Sequence, residues 1–243
     1  MALNDYSHNY KTTKIYLAVP FDEKDEAKKM GAKWDAVNKK WYAPNMESLL
    51  LEKWKINTEP VILLGEDRNY GQNKLFIDLI PSSCWFTNVR YCIHSTDWDR
   101  LRKYVYERVN YICECCNIDT RKSNVILEAH ERWDYNEQTQ TQKLVRIVAL
   151  CHDCHQSTHM GLAGIRGKGK EAEKHIKNVR GFTEEEYKQH SLEATEIWIK
   201  RNMINWNLDL SLITSNNIKL SKLIPNKNDR QNISNEKISF IDI

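Results

Sequence analysis

Cys113-Glu114-Cys115-Cys116 is followed, 34 residues later, by Cys151-His152-Asp153-Cys154-His155-Gln156-Ser157-Thr158-His159. Two C-x-x-C knuckles at this separation bring four thiolates into one tetrahedron, the arrangement a structural zinc ion prefers. The second knuckle runs directly into His155-x-x-x-His159, and a spacing of four puts both imidazoles on one face of a helix. A metal site beside a zinc clamp is expected.

Between the knuckles, Val125 to His130 reads as a strand that delivers His130 at its end, and Lys143 to Leu150 as a second apolar strand leading into Cys151. Strand, loop, strand and a helix carrying His155 and His159 make a ββα unit whose ends the four cysteines clamp. Side chains alternate along a strand, so Glu128 shares a face with His130 and Glu131 does not unless the strand has already turned. Trp133, Asp134 and Tyr135 fall in the loop after His130, where they either stack a base or pack a small core.

Over residues 109–160 this stretch resembles the HNH, or ββα-metal, nucleases in their zinc-ribbon form. The resemblance implies a metal-dependent endonuclease that hydrolyses DNA phosphodiester bonds. It implies a structural zinc on Cys113, Cys116, Cys151 and Cys154, and a catalytic divalent ion such as Mg2+, Mn2+, Ni2+ or Zn2+. Carried over by position, His130 is the general base, His155 and His159 hold the ion, and Glu128 is a further candidate ligand. A register shifted by one makes His130 the third ligand and Glu131 the base. The chain departs from the family at Ala129, where Asp or His is common, and at Arg146, where Asn is frequent. The alternative is a catalytically inactive, zinc-stabilised HNH-like module that binds nucleic acid or a protein partner. The two readings differ over a third ligand beside His155 and His159. A thiol redox role for Cys113-x-x-Cys116 leaves the second knuckle unexplained.

Arg146, Arg166, Lys168 and Lys170 are candidate nucleic-acid contacts. The last three lie in Gly161 to Lys170, which admits no P-loop register and reads as a mobile basic loop. A helix beginning at Asp97 carries Trp98, Leu101, Val105 and Val109 on its apolar side, with Arg100, Arg102, Lys103 and Arg108 facing phosphate or solvent.

Ahead of this, Lys14 to Val19 reads as a strand, Asp22 to Met30 as a helix ended by Gly31, Lys39 to Tyr42 as a strand closed by Pro44, and Leu49 to Trp54 as a short helix. The wording Val19-Pro20-Phe21, Ala27-Lys28-Lys29-Met30-Gly31-Ala32-Lys33-Trp34-Asp35 and Lys40-Trp41-Tyr42-Ala43-Pro44 resembles a small accessory module of bacterial mobile-element DNA-processing proteins, such as plasmid primases. Trp34, Trp41 and Tyr42 are expected to form its miniature core, nucleic-acid contact being the other reading.

The expected fold is α+β throughout: an accessory module over 1–59, a zinc-clamped HNH-like domain with added helices over 60–213, and a polar, largely disordered tail over 214–243. Further strands are expected at Leu75 to Ile80, Cys84 to Tyr91 and Trp206 to Leu212, and residues 1–13 are expected to fray. With 41% hydrophobic and 28% charged residues, the 243-residue chain has an ordinary globular composition. Its apolar runs are too short for a membrane span and its start lacks a signal pattern. Seven cysteines, an odd number, with C-x-x-C pairing argue for reduced thiols in a cytoplasmic protein, Cys84 and Cys92 being small buried hydrophobes. A net charge of +3 permits DNA as a partner without demonstrating it.

Overall fold

Residues 14–45 and 49–238 are described in the computed structural model, a mixed α+β structure with two small sheets. The expectations for residues 1–13 and 239–243 lie outside the described residues. The chain divides into two compact units, residues 1–59 with 94–96, and residues 60–93 with 97–243. Among the described residues no helix is long and apolar enough to cross a membrane.

In the first unit, β1 (Ile15–Leu17), α1 (Lys24–Lys29), β2 (Lys33–Asp35), β3 (Lys40–Ala43) and α2 (Leu50–Trp54) follow one another. Gly31, at φ +98, ends α1 and lets the Ala32 N–H reach the Ala27 carbonyl at 2.9 Å. The strands pair antiparallel in the order β1-β3-β2. Leu17, Trp41 and Trp34 stand opposite one another on one face, Tyr16, Tyr42 and Lys33 on the other. The core is Leu17, Ala27, Ala32, Ala43, Leu50 and Trp54. The expected core of Trp34, Trp41 and Tyr42 is corrected in part: Trp41 packs against the interior, but Trp34 is 50% exposed on an edge strand, Tyr42 lies on the opposite face, and Trp54, at 1%, fills the interior.

The second unit comprises α3 (Val89–Cys92), α4 (Ser95–Glu107) from Asp97 on, β4 (Leu127–Asn136), β5 (Thr141–Cys151), α5 (His152–Thr158), α6 (Met160–Ile165), α7 (Gly169–Arg180), α8 (Glu184–Asn202), β6 (Asn207–Asp209), α9 (Ser211–Thr214) and α10 (Lys227–Ile238). β4 and β5 form a long antiparallel hairpin, and β6 runs parallel to the first residues of β5. The hairpin's Leu144, Ile147, Val148 and Leu150 pack with Leu101 and Val105 of α4 in one core. Thr183 and Glu186 close a reciprocal capping box at the start of α8.

Several expectations are corrected here. Residues 75–80 and 84–91 form no strands. The Leu75 carbonyl accepts from Arg180 at 2.7 Å, the Ile77 N–H donates to His190 Nε2 at 3.0 Å, and the Asp78 N–H donates to the Thr158 carbonyl at 3.0 Å, so helices satisfy this backbone. Trp133 to Tyr135 belong to β4 rather than to a loop: Trp133 is buried, and the Tyr135 ring meets that of Trp206 edge-on at 4.9 Å. Residues 161–170 are the short helix α6, a turn at Gly167 and the first residues of α7. The alternating stretch after Trp206 is strand for three residues only and then turns into α9. The tail is not disordered over its described length, because α10 docks through Arg230. That buried guanidinium donates to Thr87 Oγ1 at 2.7 Å, to the Trp206 carbonyl at 2.8 Å and to Gln142 Oε1 at 2.6 Å.

Candidate metal centres

The first knuckle sits in the turn after α4. Asn117 adopts φ +61, which lets its N–H reach the Cys113 carbonyl at 3.0 Å. Glu114 pins this turn to β5: its N–H donates to the Ala149 carbonyl, and its Oε1 accepts from the Ala149 N–H, both at 2.9 Å. The second knuckle begins at the last residue of β5 and continues into α5. The Sγ atoms of Cys113, Cys116, Cys151 and Cys154 all lie within 4.8 Å of one another, and Cys116 and Cys151 are 3.6 Å apart. Tetrahedral zinc–thiolate bonds of about 2.3 Å place sulfurs about 3.8 Å apart, so the cluster fits a metal ion. The four thiols titrate against one another: hydrogen bonds from Cys116, then Cys151 and Cys154, draw Cys113 down, while those to Cys113 and Cys116 push Cys151 and Cys154 up. His175 of α7 places Nε2 3.2 Å from Cys154 Sγ.

A second cluster lies where α5 packs on β4. His130 of β4, His155 of α5 and His159, at the joint between α5 and α6, present ring nitrogens within 4.8 Å of one another. The ring centroids are 4.7–5.3 Å apart and the rings meet edge-on. His130 is 2% exposed, and neither of its ring nitrogens has a hydrogen-bond partner. Leaving a buried polar group unsatisfied costs about 1–3 kcal/mol, and an ion shared by the three imidazoles removes that cost. Burial, then the neighbouring His159 and His155, lowers His130 well below its usual value. Burial and His155 hold His159 at about 4. Both imidazoles are neutral at pH 7, the form that binds metal.

Glu128 is not one of the converging donors. Its Oε2 accepts from His155 Nδ1 at 2.9 Å and its Oε1 from His152 Nδ1 at 2.7 Å. The His155 contact, ahead of that from His152, lowers the Glu128 carboxyl to about 2. The carboxylate thereby orients His155 and leaves its Nε2 on the side of the histidine cluster, so Glu128 braces that imidazole from outside the converging set. Glu131 pairs with Ile147 in regular register, one residue along from His130, so it points to the other side of β4. Burial raises its carboxyl above the usual range.

Arg146 is removed from the candidate nucleic-acid contacts. It is 1% exposed and donates to the carbonyls of Tyr70 (3.1 Å) and Gln72 (2.7 Å) and to Glu114 Oε2 (2.5 Å). Arg132, directly opposite on β4, binds the Tyr70, Gln72 and Lys74 carbonyls. Two buried arginines thus tie residues 70–74 to the hairpin, where Gly71, at φ +66, leaves room for the Arg132 guanidinium that a Cβ would obstruct. Arg108 is likewise turned inward, onto Glu66 at 2.5 Å. Arg166, Lys168 and Lys170 remain exposed, and the Arg166 charge reaches His159. Sequence reasoning missed Arg132, His152 and His175: His152 lies inside the second knuckle, but its pairing with Glu128 needs α5 packed on β4, and no spacing rule points to the other two.

Residues 14–55 match a family described as "Domain of unknown function (DUF5710)". A protein of Escherichia coli named DNA primase TraC is 43% identical over 53 residues, which cover 21% of this chain and 5% of that protein. A second Escherichia coli protein of the same name is 46% identical over 41 residues, 16% of this chain and 3% of the relative. The chain therefore spans a twentieth or less of the curated relatives it matches. No solved structure matches the chain.

Proposed function

We propose that this protein is a metal-dependent endonuclease of the HNH type acting on DNA, with Cys113, Cys116, Cys151 and Cys154 holding a structural zinc and His130, His155 and His159 holding a catalytic divalent ion. The observation that carries this reading is His130, buried with both nitrogens unpartnered and facing the other two imidazoles. A bound divalent ion supplies Lewis acidity at a phosphate oxygen. Around it, Glu128 fixes the tautomer of His155, and Arg166 stands on the exposed side near His159, suited to a scissile phosphate. The burial of His130 favours a ligand over a free base, and Glu131 points away. The proton acceptor we assign is His152, the exposed imidazole whose Nδ1 is held by Glu128 and whose Nε2 is left to take a proton from water. The primase name of the relatives agrees with DNA processing in a mobile element.

The second reading is a catalytically silent, metal-stabilised module that binds nucleic acid or a protein, and it is favoured by Ala129 and Arg146 where the resemblance expects a ligand and an asparagine. The test is plasmid cleavage by the full chain with Mg2+, Mn2+, Ni2+ or Zn2+, beside metal content per chain. Nicking or linearisation is expected from the wild type. His130→Ala and His159→Ala are expected to lose both cleavage and one metal, and His152→Ala to lose cleavage while keeping both. An absence of cleavage under every metal, with one ion per chain, sinks the nuclease reading in favour of the second.

A further inference from the structure

The row Tyr16, Tyr42 and Lys33 crosses all three strands of the N-terminal sheet on the face opposite Leu17 and Ala43, and Lys40 stands two residues along β3 from Tyr42 on that same face. The two tyrosines are half-buried and both lysines exposed. Cations accompany the rings: Lys14 Nζ is 5.0 Å from the Tyr42 centroid and Lys40 Nζ 5.7 Å from that of Tyr16. The acid on this face, Asp35, is buried and saturated by Lys14 at 2.7 Å and by the Tyr16 hydroxyl at 2.9 Å, so it offers little repulsion to an anion.

We propose that this sheet face binds single-stranded nucleic acid, with bases stacking on Tyr16 and Tyr42 and phosphates meeting Lys33 and Lys40. Flat rings side by side on a pleated sheet accept bases of any sequence once those bases are unstacked. Lys33 and Lys40 beside them supply the phosphate contacts, and Lys40, exposed over the Tyr16 ring and not held by Asp35, yields to a stacking base. A protein partner fits less well, because lysine is depleted from the cores of protein interfaces. The site lies in a different unit from the histidine cluster and does not depend on it.

The test is fluorescence anisotropy of the full chain with a labelled oligothymidylate of about 12 nucleotides, without added divalent metal and at two salt concentrations. Tyr42→Ala is expected to weaken binding roughly tenfold, while Tyr42→Phe, which keeps the ring, binds as the wild type. Lys33→Glu with Lys40→Glu is expected to weaken binding and flatten its salt dependence. Thermal melts check folding; if Tyr42→Ala unfolds, the lysine pair, being exposed, decides. Binding unchanged in these variants, no binding by the wild type, or preference for a duplex of the same length overturns the proposal. Plasmid cleavage is read separately, so failure of the nuclease reading leaves this result intact, and the converse holds.

Discussion

Glu128→Gln isolates one residue's part in the histidine cluster. The amide no longer holds His155 as a carboxylate does, so affinity for the second metal ion is expected to fall roughly 10–100-fold, measured by competition with a chromophoric chelator, while the cysteine-bound ion stays. In the N-terminal unit, Asp35 accepts five hydrogen bonds, from Lys14, Tyr16, the Val37 N–H, and the Asn38 N–H and side-chain amide. The Lys14 contact first, then those of Asn38, hold its carboxyl well below the ordinary range. A depressed folded-state value stabilises above the unfolded pKa of about 3.9, and that contribution is lost as pH falls through the folded value. Thermal melts of the wild type between pH 7 and pH 3 are expected to show the N-terminal transition falling below about pH 4. In Asp35→Asn it is expected to start lower at pH 7 and change less. At this scale the four cysteines were legible because knuckle spacing is a property of the local chain. The pairing of Glu128 with His152 and His155 was not, since it needs the β4–α5 packing.

Among the elements, β5, α4, α8 and the first half of β4, up to His130, were legible, each carrying a periodic apolar face or a capping box. The exceptions share a physical cause. Residues 75–80 alternate like a strand, yet their backbone is satisfied by Arg180, His190 and Thr158, partners far along the sequence. Arg132, Arg146 and Arg230 are charged yet buried, each held by carbonyls or side-chain oxygens of distant segments that no local pattern signals. The polar composition of the tail likewise suggested disorder, because the one buried side chain that anchors α10 most firmly is charged. Arg230→Ala is expected to release α10 and to destabilise the second unit by about 2–4 kcal/mol, read from urea unfolding, since Gln142, Thr87 and the Trp206 carbonyl all lose a buried donor.

At the scale of the molecule, both candidate metal centres belong to one of the two units, and among the described residues the other holds none. Scanning calorimetry of the full chain is expected to resolve two transitions. A strong chelator should lower only the one belonging to the cysteine-containing unit, given the roughly 10–16 kcal/mol that structural zinc contributes in peptide sites. A single transition that shifts as a whole would contradict this independence. Arg230 joins α10 to Thr87, a residue 143 positions earlier, and this sets an order on biosynthesis. The hairpin and both knuckles leave the ribosome before that helix does, so Thr87, Gln142 and the Trp206 carbonyl go without their buried donor until Arg230 itself has emerged.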